Sequence, residues 1–231
     1  MKDRDLATRL RPLSGLAPGS LLVHEIYASV QGESTFAGLP CTFVRTTACN
    51  LRCRWCDTAH AFFEGRTMTV AEVVAEVERQ GLGLCELTGG EPLLQPGSLE
   101  LMAALCDRRY RVLLETSGSL DVRPVDPRVV KIVDLKAPAS GEEPSNRYDN
   151  VDALLAHDEL KLVLADRADY EWAREKVVEL DLARRCTVLF GPAFGRLEPR
   201  ELAAWIVADR LPVRMQLQLH KYVWDPKARG V

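Results

Sequence analysis

Strand-like and helical segments alternate along most of these 231 residues, which predicts an α/β fold: an incomplete, open parallel β/α barrel of about six repeats. Short apolar runs of strand length are separated by stretches of helical length, and the short connections imply right-handed crossovers between parallel neighbours. Eight repeats would close a barrel, so a smaller number implies an open one, with a flat doubly wound sheet as the alternative. No linker rich in Gly, Pro or Ser divides the chain, so residues 21–231 are expected to form a single domain behind a loosely ordered leader, residues 1–20.

The leader mixes charge with Pro12, Gly15, Pro18 and Gly19 and shows no period. LLVHEIYASV (21–30) reads as a first strand and runs into a polar turn, QGES (31–34). CTFVRT (41–46) is a second strand that delivers the chain into RTTACNLRCRWCDT (45–58). In VAEVVAEVERQ (70–80), Val70, Val73, Val74 and Val77 fall at helical spacing, with Thr69 and Glu72 as a capping box. LCELT (84–88) is a short strand ending in GGEP, and SLELMAALCDRR (98–109) is helical. RVLLET (111–116) and VVKIVDLK (129–136) are strands, VDALLAHD (151–158) a short helix and ELKLVLA (159–165) a strand. A helix over ADYEWAREKVVELDLA (168–183), a strand CTVLF (186–190), a helix PRELAAWIVAD (199–209) and a last strand VRMQLQL (213–219) complete the pattern.

Composition narrows the function. Apolar residues at 47% and charged ones at 27% are an ordinary globular mixture. A net charge of −3 gives no basic footprint for nucleic acid, so a small-molecule substrate is expected instead. No apolar run approaches the ~18 residues of a membrane span, and the charged opening MKDRDLATRL lacks the apolar core of a secretory signal, so no membrane partner and a cytoplasmic location are expected. Seven cysteines, three of them at positions 49, 53 and 56, suit a metal site in a reducing compartment better than a disulfide framework. Cys41, Cys85, Cys106 and Cys186 read as inert buried thiols.

Functional groups of such folds gather at the carboxyl ends of the strands. Arg45, the Thr88–Glu91 stretch, Glu115 with Thr116 and Ser117, Asp134 with Lys136, and His220 with Lys221 all stand at such ends. Gly89 and Gly90 expose backbone that a ligand can approach closely. Three cysteines are one short of a full cluster or closed zinc set, which leaves one coordination position open. The alternative is a structural zinc site using Cys53 and Cys56 as a C-x2-C pair, with Cys49 and His60 completing it. Lys161, inside the ELKLVLA strand, is a costly charge that must reach the rim or snorkel to solvent. His24, His60 and His157 read as structural or surface residues, and Trp172 and Trp205 as core or subunit contacts.

The Cys-x3-Cys-x2-Cys spacing with Trp55, followed by GGEP, resembles the radical S-adenosylmethionine superfamily, and the fold expected is of that type. More narrowly, YASVQGEST, ACNLRCRWCDT, LTGGEPLLQ, ETSG, DLKAP and QLHKYVWDP, in that order over residues 24–226, resemble the 7-carboxy-7-deazaguanine synthase family. The resemblance implies a radical-mediated ring contraction of 6-carboxy-5,6,7,8-tetrahydropterin to 7-carboxy-7-deazaguanine with loss of ammonia, on the route to queuosine and related 7-deazapurines.

It also implies site roles. Cys49, Cys53 and Cys56 would hold a 4Fe–4S cluster, and Thr58 a magnesium ion. Trp55, Cys56, Asp57, Gly89, Gly90 and Glu91 would contact S-adenosylmethionine, as would Glu115, Ser117, Asp134, Leu135 and Lys136. Val30, Gln31, Gly32, Glu33, Arg45, Thr88 and His220 would contact the pterin, with Glu33 and His220 catalytic. Arg45 has the planar fork that pairs with a carboxylate, and His220 can move a proton near neutral pH. An electron donor such as a flavodoxin and a homodimer are further expectations of the resemblance. Two departures stand out: Asp134 replaces a serine found in some members, and the chain continues past Pro226. The competing functions are a glycyl-radical activating enzyme acting on a partner protein and a zinc-binding scaffold module.

Overall fold

The computed structural model describes residues 2–230. One nine-stranded sheet, ordered β3-β1-β2-β4-β5-β6-β7-β8-β9, organises them. Its parallel part is β2 (Pro40–Thr46), β4 (Leu84–Gly89), β5 (Arg111–Thr116), β6 (Val130–Asp134), β7 (Glu159–Leu164), β8 (Thr187–Pro192) and β9 (Arg214–Met215). At one edge β1 (Ser20–Val30) runs antiparallel to β2 and to β3 (Arg66–Thr69). The sheet does not close, as the expected open α/β barrel requires.

Crossover helices α2 (Val70–Gln80) and α3 (Ser98–Asp107) pack on the first half of the sheet. Helices α4 (Arg167–Glu179), α5 (Leu182–Arg185) and α6 (Pro199–Asp209) pack on the second. The capping box starts α2 as expected: the Thr69 hydroxyl accepts from Glu72 N, while the Glu72 carboxylate accepts from Thr69 N at 2.7 Å. Val70, Val73, Val74 and Val77 are buried against Val44, Leu87, Val112 and Leu114. Each such side chain is worth roughly 1.5–3 kcal/mol of burial.

Strand alternation sorts the residues between the two faces. Val44, Cys85, Leu87, Val112 and Leu114 face α2 and α3. Their neighbours on the opposite face are Arg45, Glu86 and Thr88, Glu115, Asp134 and Lys161, and all of these line a cavity. The same face is closed farther along the strands by an apolar layer of Cys41, Phe43, Leu84, Leu113 and Ile132. Polar side chains thus occupy the carboxyl ends of strands whose other positions are apolar.

Several local expectations change. Residues 1–20, expected as a loose leader, contain a helix, α1 (Lys2–Leu10), and a 3-10 turn (Arg11–Leu13); Arg9 donates from Nη1 to the Asn50 carbonyl at 2.8 Å, tying the helix to the cysteine loop. The expected 151–158 helix is a 3-10 segment, Tyr148–Ala153, and the chain after it is held by Asp158, whose carboxylate accepts from Leu155 N and Lys131 N. The helix expected over 168–183 breaks at Asp181, which sits at φ 49°. Of the last expected strand, Arg214–Met215 form the ladder to β8 and Gln216 N still donates to the Phe190 carbonyl at 2.9 Å, while the side chains of Gln216 and Gln218 reach the QGES segment. A short helix, α7 (His220–Val223), follows where none was expected.

Candidate active site

The cavity has a volume of about 570 Å³ and is reached by both halves of the sequence. Its first wall is the cysteine loop. After β2 the chain turns at Ala48, which adopts φ 76° although it is not glycine. Glu91 N donates to the Ala48 carbonyl at 2.8 Å, and Gly90 N donates to Thr46 O at 3.1 Å, so the Gly-Gly-Glu segment clamps the loop's entry. The fit requires glycine: a Cβ on Gly90 would stand 1.9 Å from the Ala48 oxygen. Farther on, Arg52 N donates to Glu142 and Arg54 N to the Ser140 carbonyl, which fixes the far side of the loop.

Cys49, Cys53 and Cys56 all line the cavity, from buried through half-buried to exposed. Burial pushes the Cys49 thiol up to about 12 and raises the other two, so holding a cation there displaces protons from all three. Three cysteine sulfurs lining one open cavity fit a polynuclear iron–sulfur cluster that keeps one iron free of protein for a ligand.

Beside the sulfurs lie Gly89, Gly90, Ser117, Asp134 and Lys136. Lys136 Nζ bonds Asp134 Oδ2 at 2.7 Å, whereas Asp134 Oδ1 is buried without a partner, an acceptor suited to a ligand's hydroxyl or amine. Trp55 lies under the Arg196 guanidinium, 5.6 Å from its ring centre. The Thr58 hydroxyl donates to Asp57 at 3.0 Å. Burial alone would raise the Asp57 carboxyl, but the Lys221 ammonium at 2.6 Å outweighs it and holds that carboxyl well below the usual range.

A second wall joins QGES to the chain's end. Leu219 N donates to the Gly32 carbonyl at 2.8 Å, and the His220 ring packs so closely on Gly32 that a Cβ there would meet Nδ1 at 2.1 Å. Gln31 is buried and its amide donates to Glu86, while its own oxygen accepts from Glu33 N at 2.9 Å. Glu33 accepts from Lys161 at 2.7 Å and from Gln218 at 2.8 Å. Arg45 donates from Nε to Glu25 and from Nη2 to the Tyr27 hydroxyl, both at 2.8 Å. Burial lowers the His220 imidazole against the pull of Glu33, which favours its neutral form.

Val30, Gly32 and Thr88 also line the cavity, the last donating to Glu115 at 3.3 Å. Two residues expected at the cofactor are not brought there. Glu91 is fully buried, and its carboxylate accepts from Leu93 N, Thr116 and Ser117, so it braces the loop. Leu135 turns its side chain into the core behind the sheet. Sequence reasoning missed Glu86, Tyr27 and Gln218 and left Lys161 open; a lone charge within an apolar strand was the available signal for Glu86 and Lys161. The segment past Pro226 also reaches the cavity, through Ala228, Arg229 and Gly230.

Residues 43–134 match the model of the Radical SAM superfamily. Among solved structures, QueE from Escherichia coli shares the fold with a TM-score of 0.71 and 22% identity, over 87% of this chain and 95% of that one. The 7-carboxy-7-deazaguanine synthase of Chlorobaculum tepidum is 51% identical over 91% of this chain and 97% of its own length. The synthase of Koribacter versatilis is 48% identical over 90% of this chain and 99% of its own. With likeness of this extent along nearly the whole of both sequences, the chain belongs to the 7-carboxy-7-deazaguanine synthase family.

Proposed function

We propose that this chain carries out the reaction its family is named for, forming 7-carboxy-7-deazaguanine from 6-carboxy-5,6,7,8-tetrahydropterin with loss of ammonia. The observation that carries the reading is a single cavity lined both by the three cysteines and by Arg45, Gln31, Glu33 and His220. Bound at the cysteine wall, a 4Fe–4S cluster and S-adenosylmethionine supply the means of taking a hydrogen atom from an unactivated carbon.

The protein's share is position and charge. Cys49, Cys53 and Cys56 hold the cluster, and Asp134, with Oδ1 unpartnered, and Gly90, with bare backbone, receive S-adenosylmethionine. Arg45 has Nε and Nη2 engaged by Glu25 and Tyr27, which leaves Nη1 to meet the substrate carboxylate. Glu33, oriented by Lys161 and Gln218, accepts from the amino edge of the pterin. Neutral His220, in van der Waals contact with Gly32, moves a proton as ammonia departs. Thr58, beside Asp57, offers a hard oxygen to magnesium, an ion that keeps substrate oxygens and waters in its shell.

We further propose a homodimer, a cytoplasmic location and an electron donor such as a flavodoxin. Among the described residues no helix is long and apolar enough to cross a membrane, which is consistent with that location. The decisive experiment is an anaerobic assay of cluster-loaded protein with reductant, S-adenosylmethionine, magnesium and the pterin, with product followed by mass. Failure to form a carboxy-deazaguanine while the cluster stays intact rejects the substrate. Light scattering at several concentrations tests the dimer.

A further inference from the structure

We infer that His24, Glu25 and His60 form a second metal site, separate from the cysteines, that takes a divalent transition cation of the zinc class. Among the described residues, one ligand atom from each of these three comes within 4.8 Å of the others. Two imidazoles and a carboxylate are a donor set that suits zinc, cobalt or nickel, whereas magnesium and calcium favour all-oxygen sets.

The strand geometry builds the site. Adjacent residues on a strand point to opposite faces, so His24 and Glu25 should diverge. They do not, because the β1–β2 register slips between Val23, which faces Thr46, and Glu25, which faces Arg45. His24 is the extra residue of a bulge, and a bulge re-aims side chains in this way. His60 then arrives from the 3-10 turn Ala59–Phe62, its ring 5.1 Å from that of His24.

Each donor is prepared. His24 Nδ1 stands 2.7 Å from the Glu64 carbonyl, which can only accept, so Nδ1 carries the proton and Nε2 presents its lone pair. Anchoring one ring nitrogen to a backbone carbonyl is how metal-binding histidines are held. His60 Nε2 is buried with no hydrogen-bond partner, a cost that a ligand at that atom removes. Glu25 gives Oε1 to Arg45, which leaves Oε2 for an ion. Donors on one tetrahedral cation, with bonds of about 2.0–2.1 Å, stand about 3.3 Å apart, so modest side-chain rotation closes the site. Glu25 and His60 also line the main cavity, so the site lies at its border. This assignment does not depend on the substrate proposed above.

The test uses cluster-loaded protein under anaerobic conditions. Zinc chloride is added at one equivalent, the protein is desalted, zinc and iron are counted, and zinc-edge X-ray absorption reads the ligands. The site predicts stoichiometric zinc, unchanged iron and a shell of nitrogen and oxygen only. A sulfur shell at ~2.3 Å would place the zinc on the cysteines and overturn the proposal, as would failure to retain zinc. His24→Gln and His60→Gln, each checked for an unchanged circular dichroism spectrum, should weaken zinc binding at least about tenfold. Wild-type affinity in both also overturns it, and the X-ray shell decides the matter should either variant misfold.

Discussion

The Lys161 ammonium lies 2.7 Å from the Glu33 carboxylate, donates as well to Glu115, and stands 3.9 Å from Asp134. One cation on β7 thus ties the QGES turn to the ends of β5 and β6. It also explains how so many carboxylates share one wall: burial alone would raise Glu115, but Lys161 outweighs it and lowers that carboxyl. Glu86, buried and close to the Glu115 and Glu33 carboxylates, is raised instead.

Lys161→Met should therefore be costly in a pH-dependent way. Removing one partner of a buried ion pair costs about 3–5 kcal/mol. Because Lys161 depresses Glu115 in the folded state, its contribution is present above the ordinary glutamate pKa of about 4.3 and is lost as pH falls through the depressed folded value. Urea denaturation should show the gap between wild type and variant widest near pH 7 and shrinking below about pH 4. A gap independent of pH would mean that Lys161 acts by packing alone.

Gly32→Ala tests the junction of QGES with the chain's end. A methyl group there would meet His220 Nδ1 at 2.1 Å, so the imidazole must move. Displacing a catalytic group by an ångström costs on the order of 100-fold in rate, and that is the expected fall in kcat/KM. The cluster's absorption and iron content should not change, because the atoms that the added methyl meets first all belong to His220. A variant as fast as wild type would remove His220 from the chemistry.

How much of this was legible follows from how local each feature is. The capping box at Thr69 and Glu72 and the valine stripe of α2 are set by neighbours within a turn or two, and the sequence states them outright. The cysteine loop and the Gly-Gly pair are legible for the same reason. The cavity's floor is not: Glu86 and Lys161 matter because strand register sets them beside Gln31 and Glu33, from segments that lie far away in sequence. The bulge at His24 is likewise a property of pairing, and alternation alone sends that ring to the wrong face. Glu91 misled in the other direction, since a carboxylate in a ligand-like motif serves backbone amides and hydroxyls instead.

Asp158 offers a test of stability away from the cavity. It is fully buried, pairs with the buried Lys131 ammonium at 2.8 Å, and accepts from the amides of Lys131 and Leu155. Asp158→Ala strands the lysine and two amide donors, for an expected loss of about 3–5 kcal/mol in urea unfolding. Neither residue lines the cavity, so protein folded at low temperature should keep its turnover per cluster. A loss below ~1 kcal/mol would show that Lys131 finds water or another partner.

Gly90→Ala separates the loop's shape from its sulfurs. The added Cβ would stand 1.9 Å from the Ala48 carbonyl oxygen and 3.1 Å from Cys49 Cβ. Backbone is the obstacle, so relief comes only by moving Ala48, and that residue already sits at φ 76° with its carbonyl held by Glu91 N. The displacement falls on Cys49, the most buried of the three thiols. The variant should therefore fold, since the sheet and its helices are untouched, but take up less iron on anaerobic reconstitution and lose its cluster faster to a chelator. Cys53→Ala, which removes one of the proposed cluster ligands, is the reference, and Gly90→Ala should fall between it and wild type. Iron content and chelator lifetime equal to wild type would show that the Gly-Gly segment is needed for ligand approach alone and plays no part in holding the cysteine loop.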